Sequence, residues 1–383
     1  MNTVLIASID DWDTGVEIPY MFSKADYEVD IFCKKGSWLQ SNSFHNNYIE
    51  ANNSNENFIS GLLEIIQKKK YDFIILTEDP LLKYLNDRIV DPNLFVKILP
   101  LIKIENRKIL SSKNGFSEFC IENNLLTPKY HSYNSKEDYF KIIEELNFPL
   151  IKKYEFSWGG MDMNIIQNKD ELQKTLEYQE ENKNIMFQEY IDGEEIGIDA
   201  FFYKGQLITY FCAKVITYST NKFSFSTRRL YFNNLDLKAY LTELGEKSGA
   251  NGFASISYIQ ENTTGKYFLI EMDLRTNSWM AYSQYLSDNN FISAIRNINS
   301  KNKFQDANAI LFNKEIEIAL FYKDIHRLIF KKDIRGIFKW ILNQKRYWRF
   351  LPFYDLILSK RIFYQLWAET FHFKWKEWTG KYK

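Results

Sequence analysis

Apolar and amphipathic segments alternate along the N-terminal part of the chain. Compact apolar runs bounded by charge predict strands, and apolar residues at three- and four-residue spacing predict helices. The predicted strands span 3–8, 27–33 and 71–76, the predicted helices span 15–25 and 58–69, and a polar, asparagine-rich loop spans 40–57. Strands that alternate with helices favour a parallel sheet, so we expect an α/β domain over residues 1–108. No G-x-G-x-x-G motif follows the first strand, which argues against a dinucleotide cofactor.

Beyond residue 108 the predicted strands follow one another across tight turns. Helices are predicted at 113–123 and 135–146, and strands at 148–153, 186–191, 196–203, 207–215 and 266–272. The pairs Asp192-Gly193 and Lys204-Gly205 supply turn residues. This pattern favours an α+β domain of antiparallel sheets with packed helices. We place this domain at 109–300, with lobes at about 109–185 and 186–300, followed by a helical C-terminal extension over 301–383.

The overall charge is balanced, but its distribution along the chain is not. The 383 residues carry 49 Lys and Arg against 49 Asp and Glu. Residues 324–383 alone hold 14 basic and 5 acidic residues, a net charge of +9, so the preceding part carries −9. The same segment contains 16 aromatic residues, including five of the nine tryptophans. The extension therefore differs in chemistry from the rest of the protein.

Two interpretations of this basic, aromatic extension remain open. Apolar residues fall at helical spacing from Phe330 to Ile341 within one predicted helix, and the segment 345–378 predicts a second and a third. These helices either pack on the body of the protein or contact an anionic membrane surface, which attracts basic helices rich in Trp and Phe. Nucleic acid is not expected as a partner, because no recognisable nucleic-acid-binding pattern accompanies the charge.

The cysteines and the N-terminal segment favour a cytoplasmic protein. Cys33, Cys120 and Cys212 are widely separated, so we expect neither a disulfide framework nor a paired-cysteine metal site. The N-terminal segment lacks a basic region, and no apolar window has the length of a membrane span. If the extension contacts lipid, we expect peripheral attachment to the inner face of the cell membrane.

An ordered set of charged residues and glycines suits a nucleotide and a metal ion. Lys113 and Lys153 can reach phosphate oxygens, and a Gly-Gly pair shortly after Lys153 lets backbone N–H groups approach a polyphosphate. Glu271 and Asp273 are two residues apart on a predicted strand, so both carboxylates share a face that suits Mg²⁺. Arg275 shares that face and can clamp a phosphate or a carboxylate.

This order of residues resembles the ATP-grasp superfamily, of the carboxylate–amine or carboxylate–thiol ligase type that includes D-aspartate ligases and the large subunit of carbamoyl-phosphate synthase. The resemblance covers about residues 1–300. It implies an α/β domain that precedes a two-lobed α+β grasp around the adenine, with ATP and Mg²⁺ (or Mn²⁺) as cofactors. Catalysis in such a site rests on positioning and electrostatics and needs no protein nucleophile.

The resemblance also implies roles for individual positions. The residues implied to bind ATP are Lys113, Lys153, Ser157, Gly159, Gly160, Gln188, Glu189, Tyr190, Ile191 and Glu195. Among these, Gln188 would face the adenine amino group and Glu195 the ribose hydroxyls. Lys214 and Arg275 are the implied catalytic cations, and Glu271 and Asp273 the implied metal ligands. Only one of Lys152 and Lys153 can point into the cleft from a strand.

The sequence departs from the family pattern at the metal site. Ser257 stands where the first metal-binding Asp is expected, and Asp273 stands where Asn is usual. Two carboxylates remain, so we expect a rearranged site that still balances Mg²⁺. A serine there also fits a protein that binds nucleotide without turnover. Arg228 and Arg229, and Ser257 itself, are weaker candidates for binding the acid substrate.

The expected function is that of an ATP-dependent ligase that activates a carboxylate as an acylphosphate and couples it to an amine. The expected partners are small-molecule or peptide acids and amines. By extrapolation from the family, such a ligase serves bacterial cell-envelope synthesis. Two alternatives are a catalytically silent nucleotide-binding protein and a membrane-docked assembly factor.

Overall fold

The computed structural model describes residues 2–52, 54–157, 160, 163–177, 184–288, 290–298, 308–309, 314–343 and 350–378. The strands are β1 (Asn2–Ala7), β2 (Tyr27–Cys33), β3 (Asn47–Glu50), β4 (Phe73–Leu76), β5 (Tyr130–Tyr133), β6 (Leu150–Tyr154), β7 (Asn164–Ile166), β8 (Ile185–Glu189), β9 (Gly193–Tyr203), β10 (Gln206–Tyr218), β11 (Ser226–Phe232), β12 (Gly252–Glu261), β13 (Tyr267–Asp273), β14 (Asn308–Ala309) and β15 (Ile316–Ala319). The α-helices are α1 (Ile18–Lys24), α2 (Asn55–Lys68), α3 (Asp79–Arg88), α4 (Pro92–Ile98), α5 (Lys113–Glu122), α6 (Asp138–Glu145), α7 (Lys169–Glu177), α8 (Leu237–Ser248), α9 (Phe291–Asn297), α10 (Phe321–Phe330), α11 (Ile334–Leu342) and α12 (Leu356–Trp378).

The N-terminal domain is built on a parallel sheet in the order β3-β2-β1-β4. Residues 4–7 of the central strand β1 are buried on both faces, which explains its unbroken apolar sequence. The predicted parallel sheet is thus confirmed. The loop expected at 40–57 is partly wrong, because it contains the edge strand β3. This strand escaped prediction because an edge strand that is only half buried carries no apolar run.

A small antiparallel sheet in the order β5-β8-β6-β7 forms one lobe of the second domain. Its inner face and the helices α6 and α7 enclose a core of their own, formed by Ile142, Leu146, Leu150, Ile166, Leu172, Ile185 and Phe187. We call this unit the small lobe. Since its core is separate from the other apolar clusters, the small lobe is a distinct packing unit.

The larger sheet has seven strands and follows the order β13-β12-β9-β10-β11-β15, with β14 beside β10. A two-residue turn joins β9 to β10, and both of its residues have positive φ, 51° at Lys204 and 83° at Gly205. Ile198 and Tyr210 on one face of this sheet share an apolar cluster with Leu5 and Phe58 of the N-terminal domain. We call this sheet and its helices the large lobe. The predicted fold class is confirmed, while the residue limits of the domains stay a prediction.

The C-terminal helices pack against the N-terminal domain. Phe321 of α10, Trp340 of α11 and Leu358 of α12 share a buried cluster with Val16 and Trp38. The packed interpretation of the extension is therefore confirmed for the part that the structure describes. No helix among the described residues is both long and apolar enough to cross a membrane.

Two helix predictions in the extension are wrong in detail. The single helix expected to contain Phe330 to Ile341 breaks where Lys332 adopts a φ of 54°. Asp333 then starts α11 by accepting a hydrogen bond from the backbone N–H of Gly336 at 2.8 Å. In place of the second and third helices expected over 345–378, the structure has the single helix α12, and 344–349 lie outside the described residues.

Candidate functional site

The candidate site lies between the small lobe and one face of the large sheet. Across neighbouring strands, Ser257 lies opposite Gly197 and Glu271, and Ser255 lies opposite Asp199 and Asp273. Residues directly opposite each other in a sheet point to the same side. The register therefore gathers three carboxylates and two serines on one face, which we call the site face.

Lys153 of the small lobe is a buried cation that points toward this face. Its Nζ donates to Oε1 of Gln188 at 2.7 Å. Burial lowers the pKa of Lys153 to about 8, the negative charge of Glu271 partly offsets this effect, and Lys113 adds a repulsive contribution. Lys152 instead lies beside the hydroxyl of Tyr154, at 3.2 Å, on the opposite side of β6. Of the two adjacent lysines, Lys153 is thus the one in the cleft.

Gln188 carries a polar group that suits a ligand. The residue is only 1% exposed, and its Nε2 has no hydrogen-bond partner within the described residues. A buried amide that is left unpaired is costly, so the position favours an acceptor from a bound molecule. This placement agrees with a nucleotide base lying beside β8.

Lys113 stands in the first turn of α5. Its Nζ donates to the carbonyl and to Oγ of Ser157, at 2.5 and 3.2 Å. Glu155 fixes this helix end, since it accepts from the N–H of Asn114 at 2.9 Å and from the hydroxyl of Ser112. Lys113 and the start of the glycine-containing loop are thereby held together, as the resemblance implied for two phosphate-binding elements.

Gly160 lies close to the β10–β11 hairpin. Its φ is +69°, and a Cβ atom at this position would lie 1.5 Å from the carbonyl oxygen of Phe223. Only glycine fits such an approach. Gly159 lies outside the described residues.

The hinge between the lobes is fixed by backbone and side-chain contacts. Glu189 accepts from the N–H and the amide of Asn147, each at 2.8 Å, and the N–H of Tyr190 donates to the carbonyl of Pro149 at 2.9 Å. Ile191 is buried. These contacts hold the hinge backbone rigid beside Gln188.

Glu195 lies two residues before the site-face residue Gly197, and therefore on the same side of β9. Its side chain is exposed toward the cleft. Desolvation of the carboxyl by the surrounding protein raises its pKa, and the negative charge of Glu271 adds to the rise. Tyr218 lies 3.5 Å from Oε2. Glu195 therefore stands in the cleft together with Lys153 and Glu271.

The implied metal ligands are held by an arginine that bridges two domains. Arg275 donates to Asp79 at 2.6 Å through Nε and to Asp273 at 2.8 Å through a terminal nitrogen. Burial raises the pKa of Asp273 to about 8, and Arg275 opposes the rise while Asp79 and Glu271 add to it. Glu271 is more exposed than Asp273.

These residues fit a magnesium ion that also binds phosphate. Within the described residues, no group of three or more His, Cys, Asp or Glu side chains is arranged as a complete metal cage. Magnesium usually takes only one or two protein carboxylates and completes its shell with water and phosphate oxygens. Glu271 and Asp273 meet that requirement, and Ser257 lies directly opposite Glu271.

Lys214 lies away from this group. Lys214 lies opposite Ile196, the residue before the site-face residue Gly197. Neighbouring residues of a strand point to opposite faces, so the side chain of Lys214 points away from the site face. There it forms an ion pair of 2.5 Å with Glu194. The structure therefore does not bring Lys214 together with the other implied catalytic residues.

Arg229 supplies a cation on the site face instead. Its guanidinium lies 3.6 Å from Asp199 and stacks over Trp279 with its carbon 4.7 Å from the ring centre. Burial raises the pKa of Asp199, against the attraction of Arg229. One oxygen of Asp199 has no hydrogen bond, while the other accepts from Asn277. Arg229 is thus a partly exposed cation held over the cleft.

Arg228, the neighbouring arginine, points elsewhere. Its Nε donates to Asp324 of α10 at 2.7 Å. The buried Asp324 also accepts from Thr227 at 2.9 Å and from the indole of Trp340 at 2.8 Å. Arg228 therefore anchors the C-terminal helices and does not reach the site face.

Three residues of the site were missed in the sequence. Asp79 contacts Arg275, Asp199 lies beside Arg229, and Glu155 contacts the two neighbours of Lys113 in the chain. A signal existed for Asp79, because it follows strand β4 at the carboxyl edge of a parallel sheet, where ligand sites gather. Glu155 and Asp199 gave no such signal, since only the folded contacts reveal their partners.

A cleft between a small antiparallel lobe and a larger antiparallel sheet, preceded by a parallel α/β domain, is the arrangement of the ATP-grasp fold. Within that class, residues 110–201 match the family of RimK-like ATP-grasp domains. The resemblance expected from the sequence is confirmed.

Known proteins with this fold include several ligases. The N5-carboxyaminoimidazole synthetase of Staphylococcus aureus, solved with ADP, superposes with a TM-score of 0.65 at 16% identity over 87% of this chain and 86% of that one. The L-amino acid ligase of Bacillus licheniformis gives 0.55 at 14% identity over 78% of this chain and 74% of that one. At these identities the likeness establishes the fold alone.

A curated relative is the large chain of carbamoyl phosphate synthase from Clostridium perfringens. It is 24% identical over an alignment of 255 positions that covers 59% of this chain and 22% of that protein. The chain thus spans about a fifth of the length of that relative.

Proposed function

We propose that the protein is an ATP- and Mg²⁺-dependent ligase that joins a carboxylate to an amine. The observation that carries the proposal is the buried Lys153, which donates to Gln188 at 2.7 Å, beside an amide nitrogen of that residue that is unpartnered within the described residues, and faces the charges of Glu271 and Glu195. Lys153 is buried with its charge only partly compensated, which favours an anionic ligand such as a polyphosphate. The ligases that share the fold support the same class of reaction.

In the proposed reaction, a carboxylate oxygen attacks the γ-phosphorus of ATP and the bond to the bridging oxygen of ADP breaks. An amine nitrogen then attacks the acyl carbon, phosphate leaves, and the nitrogen loses a proton. Lys113 and Lys153 would hold the phosphates, and Arg229 would hold the acid. The rate enhancement comes from orientation and charge stabilisation.

Glu271 and Asp273 would hold the magnesium ion through their carboxylates. The ion would neutralise charge on the phosphate oxygens. Arg275 keeps Asp273 oriented through its 2.8 Å hydrogen bond. Ser257 could add a neutral hydroxyl as a third ligand. The protein would therefore supply two negative charges to the ion, those of Glu271 and Asp273.

A hydroxylamine trap tests this function without knowledge of the amine. Hydroxylamine converts an acylphosphate to a stable hydroxamate, so the protein is incubated with ATP, Mg²⁺, hydroxylamine and pools of candidate acids. We expect a hydroxamate together with an equal amount of ADP. Glu271→Gln and Lys153→Met should both abolish the product while melting like the wild type.

The silent nucleotide-binding alternative predicts another result. ATP with Mg²⁺ would then raise the melting temperature, yet no acid pool would yield hydroxamate or ADP. Ser257 is the observation that favours this alternative, because the serine stands where a metal-binding Asp is expected. That outcome would contradict the ligase proposal.

We further propose a cytoplasmic ligase that acts at the inner face of the cell membrane, in cell-envelope synthesis. This part is supported by the basic charge of the extension and by apolar side chains that its helices leave exposed. The membrane-docked assembly factor would use the same helices without turnover, and the hydroxamate assay separates the two.

A further inference from the structure

The C-terminal helices expose an unusual amount of apolar surface. Among the described residues, 11 of the 21 exposed large hydrophobic side chains fall within 330–367. Apolar side chains that are exposed singly are normal in folded proteins, but a contiguous patch marks an interaction site. The helices are therefore packed on the body through one side only.

Helix α11 carries four of these exposed side chains. Ile334, Phe338, Ile341 and Leu342 recur at positions i, i+4, i+7 and i+8, and all four are exposed. We call these four residues the α11 face. Trp340, on the other side of the helix, is buried against α10. The helix thus has apolar residues on two sides, one packed inside and one directed to solvent.

Basic residues border the α11 face. Lys331, Lys332, Arg335 and Lys339 are exposed beside it, and Asp333 is the one acidic residue in the segment 330–343. Asp333 is already engaged as the N-terminal cap of the helix. An apolar strip flanked by four cations complements a surface that is both apolar and negatively charged.

We propose that the α11 face docks on the surface of an anionic lipid bilayer, with α11 lying parallel to the membrane. This inference deepens the membrane contact of the proposed function and rests on it. The apolar residues would enter the headgroup boundary, and the four cations would meet lipid phosphates. Each basic residue near such a surface strengthens binding several-fold.

A second copy of the chain suits this face less well. In a two-fold symmetric dimer the same residues meet from both sides, so four cations would oppose four cations. Lipid phosphates have the complementary sign. Binding to a bilayer also requires only an exposed apolar strip, whereas binding to a protein partner requires a surface of complementary shape on that partner.

Helix α12 presents a second exposed strip. Leu356, Ile357, Phe363, Tyr364 and Trp367 fall on one side of this helix, and each is exposed. Tryptophan and tyrosine prefer the interface between water and lipid. Since α11 and α12 both pack on α10, the two strips belong to one group of packed helices.

Co-sedimentation of the full chain with vesicles tests the proposal. One set of vesicles is phosphatidylcholine alone, and the other contains a third of phosphatidylglycerol. We expect the wild type to pellet with the anionic set only and to be released by salt. The double variant Phe338→Glu/Ile341→Glu should bind at least tenfold more weakly. Arg335→Gln/Lys339→Gln should bind anionic vesicles more weakly as well.

The matched control is Phe140→Glu in the small lobe. Phe140 is 66% exposed and Phe338 is 62% exposed, so both changes replace an exposed phenylalanine by a carboxylate. The control should bind like the wild type. Equal binding to both vesicle types, no binding at all, or unchanged binding of the double variant would overturn the proposal. A dimer in solution that the double variant dissociates, without vesicle binding by the wild type, would assign the face to a second copy.

Failure of this inference and failure of the ligase proposal are distinguishable. Vesicle binding is measured without ATP, and hydroxamate formation is measured without vesicles. Either result can be negative while the other is positive.

Discussion

Nε of Arg275 donates a hydrogen bond to Oδ2 of Asp79 at 2.6 Å, although 196 residues separate the two positions. A terminal nitrogen of the same guanidinium binds Asp273. The arginine thus links the N-terminal domain directly to a metal-ligand candidate of the large lobe. Because one cation serves two carboxylates, a change in either acid alters the charge that the other experiences.

Asp79→Asn should lower the pKa of Asp273. The negative charge of Asp79 contributes to raising that pKa to about 8, and asparagine removes it. Since a carboxylate must be ionised to bind Mg²⁺, Mg²⁺-dependent ATP binding should strengthen as the pH rises through this pKa. Calorimetry between pH 6 and 9 should therefore show the rise at lower pH in the variant.

The control for this experiment is Asp87→Asn at the other end of the same helix. Asp87 pairs with Lys83 on the surface of α3 at 2.7 Å. Its replacement should leave the pH profile of the wild type unchanged. A profile of Asp79→Asn that coincides with that of the control would show that Arg275 does not couple the two acids.

Lys153→Met should weaken ATP binding about 10- to 100-fold, the range for the loss of one hydrogen bond to a charged group. Lys152→Met is the matched control, because Lys152 lies on the same strand but on its other side. We expect less than a threefold effect from the control, measured by calorimetry in the presence of Mg²⁺. Equal losses in the two variants would mean that Lys153 does not face the nucleotide.

Measured without Mg²⁺, so that the ionisation of Asp273 for metal binding does not contribute, ATP binding should weaken as the pH rises above about 8. Burial lowers the pKa of Lys153 to about 8, so the lysine is charged below that pH and neutral above it. A neutral amine attracts phosphate less, so the dissociation constant should increase between pH 7.5 and 9.5. Lys153→Arg should remove this dependence, because a guanidinium stays charged over the whole range. A wild-type dissociation constant that is flat over this range would refute the assignment.

Much of the fold was predictable because it depends on local patterns. The strand β2 was predicted with the bounds that the structure shows. The turn residues Lys204-Gly205 alone predicted the hairpin between β9 and β10. The break at Lys332 was not predictable, since the apolar spacing continues through it. The helix breaks there because Asp333 caps α11 and Trp340 packs into a buried cluster, and both contacts exist only in the folded chain.

The site was predictable only where one strand carries the whole signal. Glu271 and Asp273 share a strand, so their common face followed from the period of two. Lys214 was assigned by position in a resemblance, and the sheet register turns its side chain to the other face. Asp79 and Asp199 acquire their meaning only when distant segments meet at an arginine.

Ser257→Asp should reduce the Mg²⁺ concentration needed for half-maximal ATP binding by about tenfold. The new carboxylate would lie opposite Glu271 on the site face and add a third negative charge. Gln260→Asp on the other face of the same strand is the control and should change nothing. A Mg²⁺ requirement that Ser257→Asp leaves unaltered would argue that the ion does not bind beside Glu271.

Arg228→Gln should mainly reduce stability, whereas Arg229→Gln should mainly reduce turnover. Arg228 bonds to the buried Asp324, so its loss should reduce the free energy of unfolding by about 1–3 kcal/mol. Asp324 keeps Thr227 and Trp340 as partners, which limits the damage. Arg229 faces the cleft, and its loss should reduce hydroxamate formation at least tenfold with a smaller change in melting. Thermal melts and the hydroxamate assay on both variants decide between these roles, and the reverse pattern would show that Arg228 holds the acid.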